Sequence, residues 1–529
     1  MRSLTKLHTL LASSALVAAS MAMAPSAQAE TLRWARMADA LTLDPHSQNE
    51  GPTTTLLHNI YETLVLRELD GSLSQRLATS WEIDPEDETV WVITLREGVK
   101  FHNGADLTAE DVVFSLNRLR AESSDFKALH AAVRDVTADG DYTVRIQMDG
   151  PAPLYPQNLT NAFIMDKDWA EENNVVEPQN YAAGEDSFAA RNANGTGPYS
   201  LTSRDPEVRT VLTHFEDHWN DTPDVTEIIY TPITEAATRV AALLSGEVDF
   251  VQDVPVQDIQ RLDGTDGITV TRGPENRSIY FGYDMGSDTL RSASTDDNPF
   301  QKPEVREAFA LALDRDAIQQ VVMRGESDPT GVAVPPFANG WTEELDAYSQ
   351  PDVARARELL AEAGYPDGFS LDLNCPNDRY LNDEAICQAY VGMLGQIGVN
   401  VNLVAQSRSL HFPLVQNSES DFFLMGWGVP PFDSQYVFDF LIHTKTDNLG
   451  GWNASNYSNA DVDAKIETLS SDVDLEHRNG TIAEIWDKLQ EDRVLLAVHN
   501  QMLAYATRDG VHIDVHPENQ PVIYAVTID

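Results

Sequence analysis

The chain has 529 residues, 42% of them hydrophobic, and 36 Lys and Arg stand against 84 Asp and Glu, a formal net charge of −48. That length permits two or three lobes of ordinary domain size, and the composition is globular, with no long low-complexity stretch. So acidic a surface repels nucleic acid and anionic lipid, which argues against both as partners; the dispersed acids suit a salty medium with strong screening.

The N-terminus reads MRSLTKLHTL. Arg2 and Lys6 form a positive leader, an apolar run follows from Leu10 to about Met23, and Ala27-Gln28-Ala29 puts small residues at the −3 and −1 positions of a cleavage site. This is the pattern of a secretory signal peptide over 1–29. The apolar run is short for a spanning helix, which needs roughly 20 residues. No Cys stands near the cleavage point, so a lipid anchor is not expected. The expected mature chain starts at about Glu30 and is soluble and exported. Without Arg2 and Lys6 its net charge is −50.

TVWVITLREGVKF (Thr89–Phe101) alternates and then breaks at Glu97-Gly98, which predicts a hairpin. Asn103-Gly104 reads as a turn, and Thr108 as a helix cap with Glu110 and Asp111 in the first turn. In DYTVRIQMD, Tyr142, Val144, Ile146 and Met148 share one strand face. Farther on, Thr234 is the expected N-cap of a helix with Val240, Leu243 and Leu244 on its apolar stripe and Gly246 as its stop. A strand, Val248 to Val251, follows directly.

The clearest region runs from Phe369 to Ala405. Phe369, Leu371, Leu373 and Cys375 alternate as a strand; Ile386, Tyr390, Met393, Leu394 and Ile397 fall on one helix face; Val399, Val401, Leu403 and Ala405 alternate again. Strand, helix, strand at this spacing is a βαβ unit with a parallel crossover. The only two cysteines, Cys375 and Cys387, lie at the end of its first strand and early in its helix. In an exported protein such a pair is expected to be bonded, stapling the loop CPNDRYLNDEAIC; a metal pair is the rival, but no Cys or His cluster accompanies them. Ligands of α/β folds usually bind at such strand-to-helix loops.

Taken in order, LTLDPHS (Leu41–Ser47), NIYETLVLRELDGSLSQRLATSWEI (Asn59–Ile83), VWVITLREGVKFHNGADLTAEDVVFSLNRL (ending at Leu119), GTGPYSL (Gly195–Leu201), AALLSGEVDFV, VREAFALALDRDAI (Val305–Ile318) and ARELLAEAGYPDGF (Ala356–Phe369) resemble the large periplasmic solute-binding proteins of the peptide/nickel class that feed ABC importers. The resemblance implies an α/β fold, the hinged two-lobed periplasmic-binding-protein class with an extra small domain and mixed sheets flanked by helices. It implies lobe I at 30–73, 195–283 and 498–529, the extra domain at 74–194, and lobe II at 284–497. It implies a periplasmic monomer that captures an oligopeptide or peptide-like solute between closing lobes and hands it to ABC permease subunits in the inner membrane, without cofactor or catalysis. The alternatives are an opine, an oligosaccharide or a metal–chelate ligand such as nickel. A secreted hydrolase is a weaker rival, since no HExxH or G-x-S-x-G motif occurs.

The same resemblance points to LMGWGVPPFDSQYVF (Leu424–Phe438). Gly426-Trp427 is expected at the cleft with Trp427 as a wall, and Gly426 and Gly428 would let backbone approach closely. Typical peptide binders carry an acid three residues after this Trp to pair with the ligand's ammonium; here Pro430 stands there. Asp433 matches a later acid, and either reaches an amine or caps the helix starting near Ser434. Some dipeptide-binding relatives hold the ligand carboxylate with an arginine in the stapled loop, which makes Arg379 the counterpart, through a two-pronged guanidinium grip; a surface pair with Asp378 or Asp383 is the other reading. Arg408 is a second cation, and Tyr436 and Tyr380 are aromatic walls.

Overall fold

Two long strands, Ile268–Tyr283 and Leu496–Arg508, pair antiparallel and carry the architecture. The computed structural model describes residues 30–181, 183–377, 379–446 and 449–529; the expected leader and its cleavage site lie outside the described residues. Beyond Leu496–Arg508 the sheet runs on through Phe250–Val251, Glu30–Arg36, Val225–Pro232, Arg209–His214 and Tyr199–Asp205. Beside the second half of Ile268–Tyr283 stand Phe422–Trp427, Ser370–Pro376 and Asn400–Gln406. One mixed sheet thus joins two lobes through two crossing strands, and the fold is α/β with helices flanking mixed sheets. Among the described residues no helix is long and apolar enough to cross a membrane.

The ladder between the crossing strands is broken where the lobes meet. Pro274 pairs with Met502 and Ser278 with Asn500, so the register jumps across Glu275, Asn276 and Arg277. Extra residues in one strand leave the ladder and aim their side chains elsewhere. The Asn276 N–H instead donates to Pro517 O at 2.8 Å.

The βαβ unit is present. Ser370–Pro376 and Asn400–Gln406 are parallel and in register from Ser370↔Asn400 to Pro376↔Gln406, with the helix Asp383–Gln396 between them. Its Tyr390 ring lies 4.6 Å from Phe281 and 6.0 Å from Phe422, covering the sheet. The strand Phe422–Trp427 is buried from Phe422 to Gly426. Covered on both faces, such a strand reads as a continuous apolar run rather than an alternation.

Cys375 and Cys387 form a disulfide and both are fully buried. Closing a loop of this length stabilises by about 3 kcal/mol in the chain-entropy estimate. Reduction, or the Cys375→Ser/Cys387→Ser pair, is therefore expected to lower the denaturant midpoint of the second lobe. An unchanged midpoint would mean that the loop is held by its hydrogen bonds alone.

Two local expectations need correction. The turn at Glu97-Gly98 exists, with Gly98 at φ +76°, but no hairpin forms. The strand Asp87–Leu95 pairs with Ala78–Asp84 and Thr143–Met148, while Val99 and Phe101 fold back on the Asn103-Gly104 turn through Leu107 N–H to Val99 O and Phe101 N–H to Ala105 O. The later helix is Ala236–Ser245 with Glu235, not Thr234, at its N-cap, and the strand after it is only Phe250–Val251. Gly246 does end that helix in the left-handed region, and Thr108 caps Ala109–Leu119 in a box with Asp111.

The small four-stranded sheet, in the order Ala78–Asp84, Asp87–Leu95, Thr143–Met148, Val133–Ala138, has its own apolar core from Leu64 to Ile164. Met165, Ala170, Val175 and Ala189 pack with Leu32, Trp34 and Tyr199 in a neighbouring apolar core. The GTGPY turn packs tightly too. A Cβ on Gly195 would lie 2.1 Å from Ile60 O, and the Gly197 N–H donates to that same oxygen at 2.9 Å.

Candidate ligand-binding site

Phe422–Trp427 pairs antiparallel with the crossing strand, Trp427 opposite Ser278 and Gly426 opposite Ile279. Trp427 therefore ends at the broken part of the hinge ladder. Its ring is half-buried and lies 5.8 Å from Tyr436, 5.9 Å from Phe440 and 5.9 Å from Trp452. Tyr436 and Phe440 are 4.6 Å apart, one helical turn from each other. The result is an aromatic wall on the second lobe. Among the described residues the Trp427 Nε1–H meets no acceptor.

The stapled loop is brought over this strand. The Arg379 and Tyr380 N–H groups both donate to Asp383 Oδ2 at 3.0 Å, so Asp383 orders the loop from its helix end. Asp383 is thereby occupied by backbone and does not pair with the Arg379 guanidinium; Asp378 lies outside the described residues. Tyr380 lies across the strand and its hydroxyl donates to Gly426 O at 3.1 Å. Burial raises the Tyr380 pKa, which keeps that phenol protonated as a donor.

Gly426 and Gly428 then have a packing reason. A Cβ on Gly426 would stand 2.7 Å from the Tyr380 ring, and one on Gly428 2.9 Å from Asn276 O. At Gly426 the side chain of Ile279 also approaches, at 2.6 Å. Gly426→Ala is expected to displace the Tyr380 ring, to destabilise by roughly 1–3 kcal/mol as an overpacked site, and to weaken ligand affinity several-fold. Calorimetric titration of the variant checks this; wild-type affinity would show that the Tyr380 position is immaterial.

Cations gather around the same ring. The Arg379 guanidinium lies 5.1 Å from the Tyr380 centroid and that of Arg277 lies 5.9 Å from it. Burial first, and then the charge of Arg277, with a further contribution from Arg408, lowers the Arg379 pKa below the usual arginine value. Arg408 opens the helix Arg408–Gln416 and is exposed. No ion pair within 4.0 Å joins the Arg379 side chain to a carboxylate among the described residues.

A family model described as bacterial extracellular solute-binding proteins, family 5 Middle, matches residues 72–448, well over half of the chain. The chain belongs to this family. Among its relatives, the glutathione-binding protein GsiB of Salmonella typhimurium is 26% identical over 481 residues, 89% of each chain. The fold of this family 5 protein matches HbpA2 from Haemophilus parasuis with a TM-score of 0.82 at 21% identity, over 94% of this chain and 100% of that one. It also matches a dipeptide-binding protein from Pseudoalteromonas in complex with Met-Leu, with a TM-score of 0.72 at 22% identity, over 94% of this chain and 100% of that one.

The loop after Trp427 departs from a simple cleft lining. Val429 is tied to the hinge by Asn276, which accepts its N–H at 3.1 Å and donates to its carbonyl at 2.9 Å. Pro430 offers only its carbonyl, which accepts from Arg67 Nη2 of the first lobe at 3.3 Å. Phe432 takes φ +51° and lies 4.0 Å beneath the same guanidinium.

Asp433, expected as a ligand contact or a cap, faces inward. Arg478 grips it with two bonds of 2.7 Å, and the two side chains are 1% and 2% exposed. Asn339 Nδ2 donates to Oδ2 at 2.8 Å, and the Gln435 N–H donates to Oδ1 at 2.9 Å, a turn contact just ahead of the helix Gln435–Val437, whose N-cap is Ser434. Both oxygens are used, so the reading in which Asp433 reaches a ligand amine is corrected.

Sequence reasoning missed Arg277, Glu275, Gln501, Phe440 and Trp452. Phe440 stands four residues after Tyr436, so helical spacing would have shown it. Arg277 sits in a strand whose bulge no local pattern announces. Among the described residues no group of three or more His, Cys, Asp or Glu is placed to hold a metal ion.

Proposed function

We propose that this family 5 protein is the extracytoplasmic subunit of an ABC importer, which captures a peptide-like solute with a free carboxylate between its lobes and delivers it to inner-membrane permease subunits without chemical turnover. The observation that carries the reading is the convergence, at the broken hinge ladder, of a half-buried aromatic wall and the Arg379 guanidinium, which makes no ion pair within 4.0 Å to a carboxylate among the described residues. Closure follows when the ligand binds the closed arrangement better than the open one. We take lobe I as 30–73, 195–283 and 498–529, the extra domain as 74–194 and lobe II as 284–497, with transport to the periplasm and cleavage before Glu30.

Arg379 is the carboxylate anchor in this reading, Trp427 and Tyr436 are walls, Tyr380 positions the cations, and Arg408 adds charge at the rim. The similar proteins bind glutathione in one case and Met-Leu in the other, both peptides with free carboxylates. The position where an ammonium anchor would stand holds Pro430, whose carbonyl Arg67 occupies. The α-amine is therefore not the main handle.

Native mass spectrometry of the protein purified from its source, followed by thermal shift with what co-purifies, tests this. A peptide-like acid that raises the melting temperature by mass action is expected. Exclusive stabilisation by a sugar or a metal complex, or turnover of the bound ligand, overturns it.

A further inference from the structure

Arg67 joins three parts of the fold beside the hinge. It ends the first arm of a short hairpin, Val65–Arg67 with Leu73–Gln75, which Leu64 and Val65 root in the core of the small sheet. Its Nη1 donates to Gln157 Oε1 at 2.7 Å and to Gly71 O at 3.2 Å. Its backbone carbonyl accepts from His516 Nε2 at 3.2 Å, and the next residue, Pro517, takes the Asn276 N–H of the register jump. Toward the second lobe, Arg67 Nη2 donates to Pro430 O at 3.3 Å, and its guanidinium carbon lies 4.0 Å from the Phe432 centroid. The hairpin turn packs on the same ring. A Cβ on Gly71 would stand 2.9 Å from Phe432 Cδ1 and 2.8 Å from Phe337 O.

Both sides of this contact are costly to keep. Arg67 is 3% exposed, and Glu518 Oε2 lies 3.9 Å from its Nε, beyond hydrogen-bond reach. Burial lowers its pKa below the usual arginine value against the opposing charge of Glu518. A buried guanidinium held chiefly by neutral oxygens and a ring face is expensive. Phe432 meanwhile stands at φ +51°, a left-handed conformation that bulky side chains rarely adopt. Such strain persists only where the surroundings over-determine a residue. Here Arg67 holds the loop after Trp427 from one side, and Asn276 of the hinge strand holds it at Val429.

We infer that Arg67 is a stop on the hinge: the lobes open wide only by pulling Pro430 O and the Phe432 ring away from its guanidinium. Arg67 thereby limits the opening angle and keeps the aromatic wall close to the first lobe. This rests on the lobe closure proposed above and not on the identity of the ligand. A narrower range of openings raises the fraction of the protein that is ready to bind, and the apparent affinity follows that fraction.

Small-angle X-ray scattering of the mature protein without added ligand tests this, on the wild type, Arg67→Met, Phe432→Leu and the double variant. Met keeps an unbranched apolar stem and removes the charge, and Leu removes the ring from the other side. Each single variant is expected to raise the radius of gyration by roughly 1 Å over the about 23 Å of a compact chain of this length. The double variant is expected to add little to either, because both residues make one contact. The wild type is also measured with saturating glutathione and with Met-Leu, since contraction reports closure itself. A folded Arg67→Met protein with the wild-type curve, beside a wild type that contracts, overturns the stop and leaves closure standing. Unchanged variants and no contraction overturn both. If Arg67→Met does not fold, Phe432→Leu decides in the same way. Single increases that simply add in the double variant overturn the assignment to a shared contact.

Discussion

Arg379→Ala is expected to weaken binding of a carboxylate-bearing ligand by roughly 10- to 150-fold, the range that corresponds to a hydrogen bond to a charged group of about 1.5–3 kcal/mol. The loop that carries Arg379 is fixed independently of the guanidinium, by the disulfide and by the two backbone N–H bonds to Asp383. The variant therefore removes the grip without unfolding the loop. Arg379→Lys keeps the charge but loses the two-pronged geometry, and its loss is expected to be smaller. Affinity is read by calorimetry against the amidated form of the same ligand. A wild-type affinity in Arg379→Ala, or an amide bound as well as the acid, would remove Arg379 from the site.

Asp433→Ala is expected to destabilise the second lobe by about 3–5 kcal/mol, the cost of leaving one member of a buried ion pair uncompensated. Arg478 is 1% exposed in its side chain, and without Asp433 its remaining acceptors are Gln435 Oε1 at 2.9 Å and Leu469 O at 3.3 Å. Both are neutral. Arg478→Ala is expected to cost a similar amount, because Asp433 would then be buried with only Asn339 and a backbone N–H. An apolar double replacement, Asp433→Leu with Arg478→Met, is expected to cost less than either single change, since no charge is left stranded. Urea unfolding followed by tryptophan fluorescence reports all three. A single-variant loss below about 1 kcal/mol would place the pair in the range of exposed ion pairs and contradict its burial.

The βαβ unit at 369–405 was legible because everything that defines it is local: two alternating strands, a helix with one apolar face, and a cysteine pair at its loop. The helix stop at Gly246 and the cap at Thr108 were legible for the same reason, as each is closed within a few residues. The hairpin at Thr89–Phe101 was misread because a strand's partner is not local. Asp87–Leu95 alternates equally well whether its neighbour is the next segment or Thr143–Met148, and the Asn103-Gly104 turn captures the expected second arm.

The site divides along the same line. The resemblance to the family singled out Trp427, Arg379, Tyr380 and Tyr436 as candidates. It also showed the missing acid at Pro430, a matter of residue identity alone. Gly426 reads as room for a ligand backbone; in the fold a Cβ there would meet Ile279 Cδ1 at 2.6 Å and the ring of Tyr380, 46 residues away in sequence, at 2.7 Å. Asp433 stood beside the expected cleft, yet its partner Arg478 comes from a helix 45 residues on. Arg277 became a neighbour of Arg379 only through the jump in register between two strands more than 200 residues apart in the chain. Periodicity, caps and turns report interactions within a few residues, and these were open to reading. Which charges end up buried against which requires the sheet to be closed first, because burial and pairing at that distance are properties of the packed lobes and not of any segment within them.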